Sequence, residues 1–159
     1  MNDQSHDTEN QTDDNAIELL SFLVGGQDYS VDIMSVREIR GGASATSLPH
    51  SPEYVRGVIN LRGTVLPIMD LSRRLGMGVE TDETRNVIIV VAVEDRTVGL
   101  MVDAVSDILA IPESEMQPPP EMRADAERNF VSALTIVEGR MIRVLDLNAV
   151  IPPASEEAA

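Results

Sequence analysis

The stretch that most constrains the fold is VRGVINLRGTVLPIMDL, residues 55–71. Two runs of β-forming residues flank the pair Arg62-Gly63, in which the glycine is typical of a tight turn, so the stretch predicts a β-hairpin. Pro67 has no backbone N–H to donate, and it marks the second strand as an edge strand or the site of a bulge. Asp70 then predicts the N-cap of a short helix that ends at Gly76.

Strand patterns also dominate the sequence on both sides of this hairpin. Residues 29–33 alternate between apolar and polar side chains, whereas residues 87–93 form an unbroken apolar run, which indicates a strand buried on both faces. Further strands are predicted at residues 17–24, 98–102 and 132–145, the last interrupted by a turn at Glu138-Gly139. The fold class predicted from these patterns is all-β with short helices.

The chain also repeats itself. Residues 29–39 match residues 98–108 at an offset of 69 (98 − 29), and the Gly63 and Asp70 positions recur as Gly139 and Asp146 at an offset of 76 (139 − 63). Two copies of a five-strand unit predict two small β-barrels. A unit of about 60 residues buries little core alone, so the two should pack together and leave a groove between them.

The amino-acid composition argues against several classes of function. The chain has 12 basic residues, all of them arginine, against 27 acidic ones, a net charge of −15. This charge disfavours binding to nucleic acid and to anionic membrane surfaces. No apolar run is long enough to span a bilayer, so direct membrane insertion is not expected. Cysteine is absent, and the N-terminus does not look like a secretory signal, which together favour a cytoplasmic location.

Three segments are predicted along the chain. Residues 1–15 are polar and acidic and predict a disordered tail, residues 16–151 form a single domain made of two β-barrel subdomains, and residues 152–159 form a short C-terminal tail.

No catalytic or metal site is expected. The two histidines lie in the N-terminal tail (His6) and in a proline-flanked loop (His50), and no nucleophile, zinc or phosphate-loop motif is present. The aspartates Asp32, Asp70 and Asp103 are expected to act as caps or solvent-facing strand residues, as is Asp146. We therefore expect no cofactor and no enzymatic activity, and a small metal-dependent enzyme is a remote alternative.

Glu38 and Arg62 each lie beside an apolar strand and a glycine. Two interpretations of them are equally open from the residues alone. They could be solvated surface charges of little consequence, or a charge pair at the rim of an apolar protein-binding surface, where truncation can cost about 2–5 kcal/mol.

Several segments resemble the CheW family of chemotaxis coupling proteins. The resemblance covers nearly all of residues 17–151, and its most specific parts are the N-L-R-G and G-R-M-I motifs in this order and spacing. The matching segments are residues 36–41, 55–63, 65–71, 98–103, 105–108 and 139–147. The chain departs from the family at residues 131–134, which lack the usual glycines, and at Arg143, which falls inside an otherwise apolar strand.

The resemblance implies a fold of two SH3-like five-stranded β-barrels with a hydrophobic groove between them. It also implies a non-catalytic adaptor that couples the cytoplasmic tip of chemoreceptors to the regulatory domain of a CheA-type histidine autokinase, in membrane-associated arrays. Weak self-association in array rings would be consistent with it. The alternative is an equivalent coupling module in a non-flagellar pathway that controls surface motility or another output.

The family's functional positions transfer to two groups of residues. The group implied in receptor binding is Val36, Glu38 and Arg62, with Gly57 and Gly99 supporting the local backbone. The group implied in kinase binding is Ile39 and Val58, which we expect on the first barrel.

Overall fold

The computed structural model describes residues 15–41, 45–78, 81–82, 84–119 and 129–152. Within these residues the chain forms ten strands and two short α-helices, which confirms the all-β prediction. The strands are β1 (Ala16–Val24), β2 (Gln27–Asp32), β3 (Val36–Gly41), β4 (Val55–Leu61), β5 (Thr64–Asp70), β6 (Val87–Val93), β7 (Arg96–Val102), β8 (Ala104–Pro112), β9 (Val131–Val137) and β10 (Arg140–Leu145). The helices are α1 (Leu71–Arg74) and α2 (Leu147–Val150), and single 3-10 turns follow β2 (Ile33–Ser35) and β8 (Glu113–Glu115). The predicted tails, residues 1–15 and 152–159, lie outside the described residues except for Asn15 and Pro152, and remain predictions.

The ten strands form two five-stranded sheets. Sheet 1 has the order β8-β1-β2-β10-β9, and sheet 2 has the order β3-β6-β7-β5-β4. Adding five to each strand number of sheet 1, and continuing from β1 after β10, gives the strand order of sheet 2. The two halves of the chain are therefore related by an internal pseudo-twofold axis. The sequence repeat thus has a structural counterpart in these two sheets.

The two copies exchange strands, which the sequence did not predict. Sheet 1 combines β1 and β2 of the first copy with β8, β9 and β10 of the second. Sheet 2 combines β3, β4 and β5 of the first copy with β6 and β7 of the second. After β2 the chain turns through the 3-10 turn and β3 pairs with β6, with Val36 opposite Val91. Neither sheet is therefore built from one copy alone, because the chain passes to the other sheet after β2 and again after β7.

In each sheet, the chain leaving one edge strand reaches the opposite edge. Thr46, beyond β3, pairs with Val58 of β4, and Gln117, beyond β8, pairs with Leu134 of β9. Each contact has two backbone hydrogen bonds of 2.9 Å, from Thr46 N and Val58 N in one case and from Gln117 N and Leu134 N in the other. These bridges curl both sheets and cover part of their free edges.

The main core lies between the two sheets and draws on both. It contains Leu20, Phe22, Val24, Tyr29, Val31, Met69, Leu71, Leu75, Ile89, Val91, Val98, Leu100, Val102, Val131, Leu145, Leu147, Val150 and Ile151. A second cluster packs on the other face of sheet 2, and its members are Leu66, Ile68, Ile88, Val90 and Met101. Because successive side chains of a strand face opposite sides, β6 contributes to both clusters. The prediction that residues 87–93 are buried on both faces is therefore confirmed.

Both predicted aspartate caps are present. The carboxylate of Asp70 accepts a hydrogen bond from Ser72 N at 3.1 Å, and that of Asp146 accepts one from Asn148 N at 3.0 Å. Gly76 has a φ of 72°, and the backbone after α1 closes with bonds from Gly76 N to Arg73 O and from Met77 N to Ser72 O. This pair of bonds is a Schellman motif, so Gly76 ends the helix as predicted.

The sequence predicted that Pro67 marks an edge strand or a bulge, and the edge-strand alternative is wrong. The pairing of β4 with β5 does shift register between Val55 and Gly57, just beyond the Val58–Pro67 pair. The strand that contains Pro67, β5, lies inside sheet 2 between β7 and β4. Pairing with β7 begins only at Ile68, opposite Gly99, so Pro67 sits just before the parallel ladder and pairs only with Val58 on the other side. An interior strand accepts proline there because no ladder bond to β7 is needed at that residue.

Candidate protein-binding site

Glu38 and Arg62 are in contact, although 24 residues separate them. Glu38 lies on β3 and Arg62 in the turn after β4, and these are the two edge strands of sheet 2. Arg62 Nη2 donates to Glu38 Oε1 at 2.5 Å, while Arg40 Nη1 donates to Glu38 Oε2 at 3.1 Å. The turn holds Arg62 at a φ of 51°, which orients its side chain toward β3. The ion pair therefore links the two edges of the sheet at one end.

The contact between Glu38 and Arg62 stabilises the charged form of both side chains. Hydrogen bonding to Arg62, followed by that to Arg40, lowers the pKa of Glu38 below its ordinary value, and the same bond raises the pKa of Arg62. The Arg62 side chain is 70% exposed and that of Glu38 is 22% exposed. Exposed ion pairs are screened by water and add little to stability. The pair is thus better placed to contact a partner than to hold the fold.

A shallow cleft of about 530 Å³ opens beside this pair. Its lining includes Glu38, Arg62 and the neighbouring Arg37. Val36, two residues earlier on β3, packs partly against the main core. The structure therefore places the three residues of the implied receptor group along one strand and the turn facing it.

Gly57 and Gly99 support this end from below the surface, and both are buried. Gly57 has a φ of 146°, and a Cβ there would lie 2.1 Å from the carbonyl oxygen of Thr46. A Cβ on Gly99 would come within 2.6 Å of the Ile68 side chain. The two glycines allow close packing of neighbouring segments, and neither can contact a partner with a side chain.

The implied kinase group lies on the same sheet. Ile39 projects from β3 with 47% of its surface exposed. Val58 on β4 is only partly exposed, since it pairs with Pro67 on one side and with Thr46 on the other. Because β3 and β4 are opposite edge strands of sheet 2, these two residues mark its two borders.

A larger groove of about 750 Å³ runs between the two sheets. Apolar side chains from both sheets line it, among them Leu19, Val93 and Leu145, and Met34 stands at its side with 78% of its surface exposed. The charged residues that line it are Asp32, Arg37, Glu94, Glu113 and Asp146. Arg37 lines this groove and the smaller cleft, so the two are neighbours. The sequence did not single out Glu94, Glu113 or Met34, and it identified Asp32 and Asp146 only as caps or solvent-facing strand residues. Strand exchange brings these residues together from distant positions, so their shared groove left no local signal.

The opposite end of the molecule carries the pseudo-equivalent surface with different charges. By the repeat offsets, Glu38 corresponds to Asp107 and Arg62 to Glu138, so an ion pair is replaced by two acids. Arg140 lies there, bonded to Asp28 through Nη2 at 2.5 Å, and the carboxylates of Asp28, Asp107 and Glu138 raise its pKa. Exposed apolar residues recur at matching places, since Ile108 corresponds to Ile39 and Met141 to Val65.

The remaining polar residues that the sequence singled out are structural. Asp32 accepts a hydrogen bond from Met34 N at 2.9 Å, and Asp103 accepts one from Gly25 N at 2.8 Å. Arg143 lies 5.5 Å from the centre of the Tyr29 ring, which accounts for a charged residue in this strand. Among the described residues, no group of three or more acidic, histidine or cysteine side chains could hold a metal ion.

Comparison with known proteins assigns the family. The family model of the CheW-like domain matches residues 18–154. The chain belongs to the CheW family. It is 53% identical over 142 residues to the chemotaxis protein CheW of Rhizobium meliloti (strain 1021), covering 89% of this chain and 92% of the relative. A probable chemotaxis protein CheW of Rhizobium etli is 51% identical over 142 residues, covering 89% of this chain and 92% of the relative.

A solved CheW structure shares the fold. The scaffolding protein TtCheW from Thermoanaerobacter tengcongensis superimposes with a TM-score of 0.80 at 30% identity, covering 89% of this chain and 97% of that chain. This CheW chain is thus a chemotaxis scaffold, and it is non-catalytic, as the CheW family is. No helix in the described part of the chain is long and apolar enough to cross a membrane.

Proposed function

We propose that this CheW chain couples the cytoplasmic tip of a chemoreceptor to the regulatory domain of a CheA-type histidine autokinase, in the cytoplasm at a membrane-associated receptor array. The observation that carries the proposal is the presence of separate apolar surfaces on one rigid core. The groove lies between the sheets, whereas Ile39 projects from an edge of sheet 2. One chain can therefore offer a different apolar contact to each of two partners.

The groove and the cleft beside Glu38 and Arg62 form the receptor face in this proposal. A chemoreceptor tip is helical, and a helix docks best in a groove with an apolar floor and polar rims. The groove has that character, with the exposed Met34 and the partly exposed Val93 in its lining and carboxylates around them. Arg62, exposed at the end of the cleft, offers donors to a carboxylate of the receptor.

The edge of sheet 2 forms the kinase face. Ile39 supplies the exposed apolar contact, and Val58 contributes through the part of its side chain that remains accessible. Edge strands present unpaired backbone groups, which favours edge-to-edge packing against a partner built of strands. We assign Ile39 the larger share because Val58 is already in contact with Pro67 and Thr46.

The different charges at the two ends of the molecule favour weak self-association of this chain in a ring. The first end carries Arg37, Arg40 and Arg62 against Glu38, and the second carries Asp28, Asp107 and Glu138 against Arg140. Opposite net charges on pseudo-equivalent surfaces favour head-to-tail contacts, which close into rings when the rotation permits.

Coupling of this kind needs no covalent chemistry on the chain. Holding receptor and kinase together raises the effective concentration of each for the other. A receptor that changes state can then shift the kinase between active and inactive populations through differential contacts.

The test is kinase autophosphorylation with a purified receptor signalling domain and the cognate kinase, with and without this chain. We expect the rate to depend on the receptor only when the chain is present. Arg62→Glu should remove this dependence, whereas Arg85→Glu, which makes the same charge change at an exposed residue before β6, should not. A folded chain that leaves the rate independent of the receptor would overturn the proposal.

A further inference from the structure

The two short helices end in different ways. Helix α1 closes its own carbonyls with the Gly76 turn, as described above. Helix α2 has no glycine after it, and the chain continues into Ile151 and Pro152. The last carbonyls of a helix lack partners within the helix, so α2 must find donors elsewhere.

Two arginines of other elements supply those donors. Arg74 donates from Nε to Val150 O at 2.8 Å and from Nη2 to Ala149 O at 3.3 Å. Arg96 donates from Nη1 to Ile151 O at 2.8 Å and to Pro152 O at 2.5 Å. Four consecutive carbonyls, residues 149–152, are thus bound by side chains from α1 and β7. We call Arg74 and Arg96 the arginine clamp.

Arg74 is itself held between two rings. Its guanidinium carbon lies 4.6 Å from the centre of the Tyr54 ring and 4.8 Å from that of Phe130. These aromatics are counterparts in the repeat, since 130 − 54 gives the offset of 76 found for Gly63 and Asp70. One cation therefore sits between equivalent rings of the two copies, which fixes its orientation toward α2.

The other end of α2 forms part of the groove wall. Asp146, Leu147 and Asn148 line the groove, whereas neither arginine of the clamp does. A four-residue helix is too short to be stable by itself, so its position depends on what it packs against. The clamp therefore acts on the groove only through α2.

We propose that Arg74 is a positioning residue for receptor binding: it fixes α2, and with it the groove wall formed by residues 146–148, without touching the receptor. The inference rests on the proposed receptor face and adds to it Arg74, a half-buried residue that contacts both copies of the repeat. Loss of Arg74 should weaken receptor binding and leave the kinase face on β3 intact, because Ile39 is held by the pairing of β3 with β6.

The test measures the Kd for a receptor signalling domain and, separately, for the kinase regulatory domain, with the full chain and three variants. Arg74→Met removes the charge and the donors but keeps an unbranched apolar side chain. Arg74→Lys keeps a cation between the rings while losing the two-carbonyl fork. Arg85→Met is the matched control for loss of one exposed positive charge. We expect a loss of receptor affinity of about 2- to 30-fold for Arg74→Met, partial recovery for Arg74→Lys, and unchanged kinase affinity for all three.

The outcomes separate this inference from the proposed function. If the unaltered chain does not bind the receptor, the proposed function fails. If it binds and Arg74→Met, folded by circular dichroism, binds equally well, the positioning role fails. If Arg74→Met lowers affinity for receptor and kinase alike, Arg74 stabilises the whole fold, and the specific role is overturned. Should Arg74→Met not fold, the comparison of Arg74→Lys with the unaltered chain decides the question in the same way.

Discussion

Replacing Gly57 with alanine should destabilise the protein strongly. The backbone at Gly57 has a φ of 146°, a conformation that residues with a side chain rarely adopt and that costs about 1–3 kcal/mol. The new Cβ would also lie 2.1 Å from Thr46 O and 2.5 Å from Thr46 C, so the segment after β3 must move away. That movement breaks the two bonds between Thr46 and Val58, each worth about 1 kcal/mol.

Together these effects predict a loss of about 3–5 kcal/mol in the free energy of unfolding, and a Tm lower by about 6–20 °C. The assay is urea and thermal unfolding followed by far-ultraviolet circular dichroism. Gly41→Ala is the matched control, because Gly41 ends β3 and a Cβ there meets nothing within 4 Å. We expect that control to change stability by less than about 0.5 kcal/mol.

The comparison between the two alanine variants decides the matter. If Gly57→Ala unfolds at the same urea concentration as the unaltered protein, the close approach of Thr46 to β4 is wrong. If both variants lose stability equally, the effect is general to glycine replacement in these strands and says nothing about the Thr46 contact.

Three further predictions concern the charged residues. Arg62→Glu should leave the Tm within a few degrees of the unaltered value while abolishing receptor coupling, and an unfolded variant by circular dichroism would show Arg62 to be structural. The pKa of the Glu38 carboxyl, measured by NMR titration, should lie below its ordinary value, because Arg62 and then Arg40 donate hydrogen bonds to it. The ion pair is complete above the ordinary pKa, is lost as pH falls through the lowered pKa, and is therefore constant from pH 6 to 8. A Glu38 pKa at its ordinary value in the unaltered protein would contradict this prediction. So would a Glu38 pKa in Arg62→Gln that is no higher than in the unaltered protein. Asp70→Ala should lower the free energy of unfolding by about 3–5 kcal/mol, because Asp70 is fully buried and accepts from Arg56 at 2.8 Å. Asp82→Ala, at an exposed aspartate, should cost much less, and equal losses in urea unfolding would refute a stabilising role for the buried Asp70–Arg56 pair.

Local features of the fold could be predicted from the sequence because short-range chemistry determines them. The turn at Arg62-Gly63 was predicted because glycine accepts positive φ without a steric penalty, and Gly63 has a φ of 86°. Arg62, whose residue type rarely has a positive φ, also lies in that region at 51°. Asp70 and Asp146 were expected as caps, since an aspartate before a short apolar segment can accept from the backbone two residues on. Each of these signals lies within a few residues of the structure it specifies.

Strand exchange could not be predicted in the same way. The alternation of residues 29–33 and the apolar run of residues 87–93 indicate which faces of these strands are buried. Both patterns fit a strand in either sheet equally well. Whether β3 pairs within its own copy or with β6 depends on contacts between residues more than 50 positions apart, such as Val36 and Val91. Pro67 was assigned to an edge for the same reason: its effect depends on where the ladder to β7 begins, which the sequence near Pro67 does not state.

The candidate site was only partly visible for a related reason. From the residues alone, Glu38 and Arg62 were as consistent with two separate surface charges as with a pair. Their contact became apparent only when the opposite edges of sheet 2 were placed side by side. The arginine clamp, by contrast, left a signal that could have been found, because Tyr54 and Phe130 obey the same offset of 76 as Gly63 and Asp70.

That offset also separates positions that build the fold from positions that distinguish its two ends. Asp70 and Asp146 keep the same residue in both copies, and both cap a helix. Arg62 and its counterpart Glu138 differ in charge, although both lie in equivalent turns at positive φ. A duplicated fold needs the first kind of position twice, whereas the second kind allows its two pseudo-equivalent surfaces to differ in charge. Exchanging the charges at Arg62 and Glu138 should therefore remove the receptor dependence of kinase autophosphorylation, as expected for Arg62→Glu, while the circular dichroism of the chain stays unchanged.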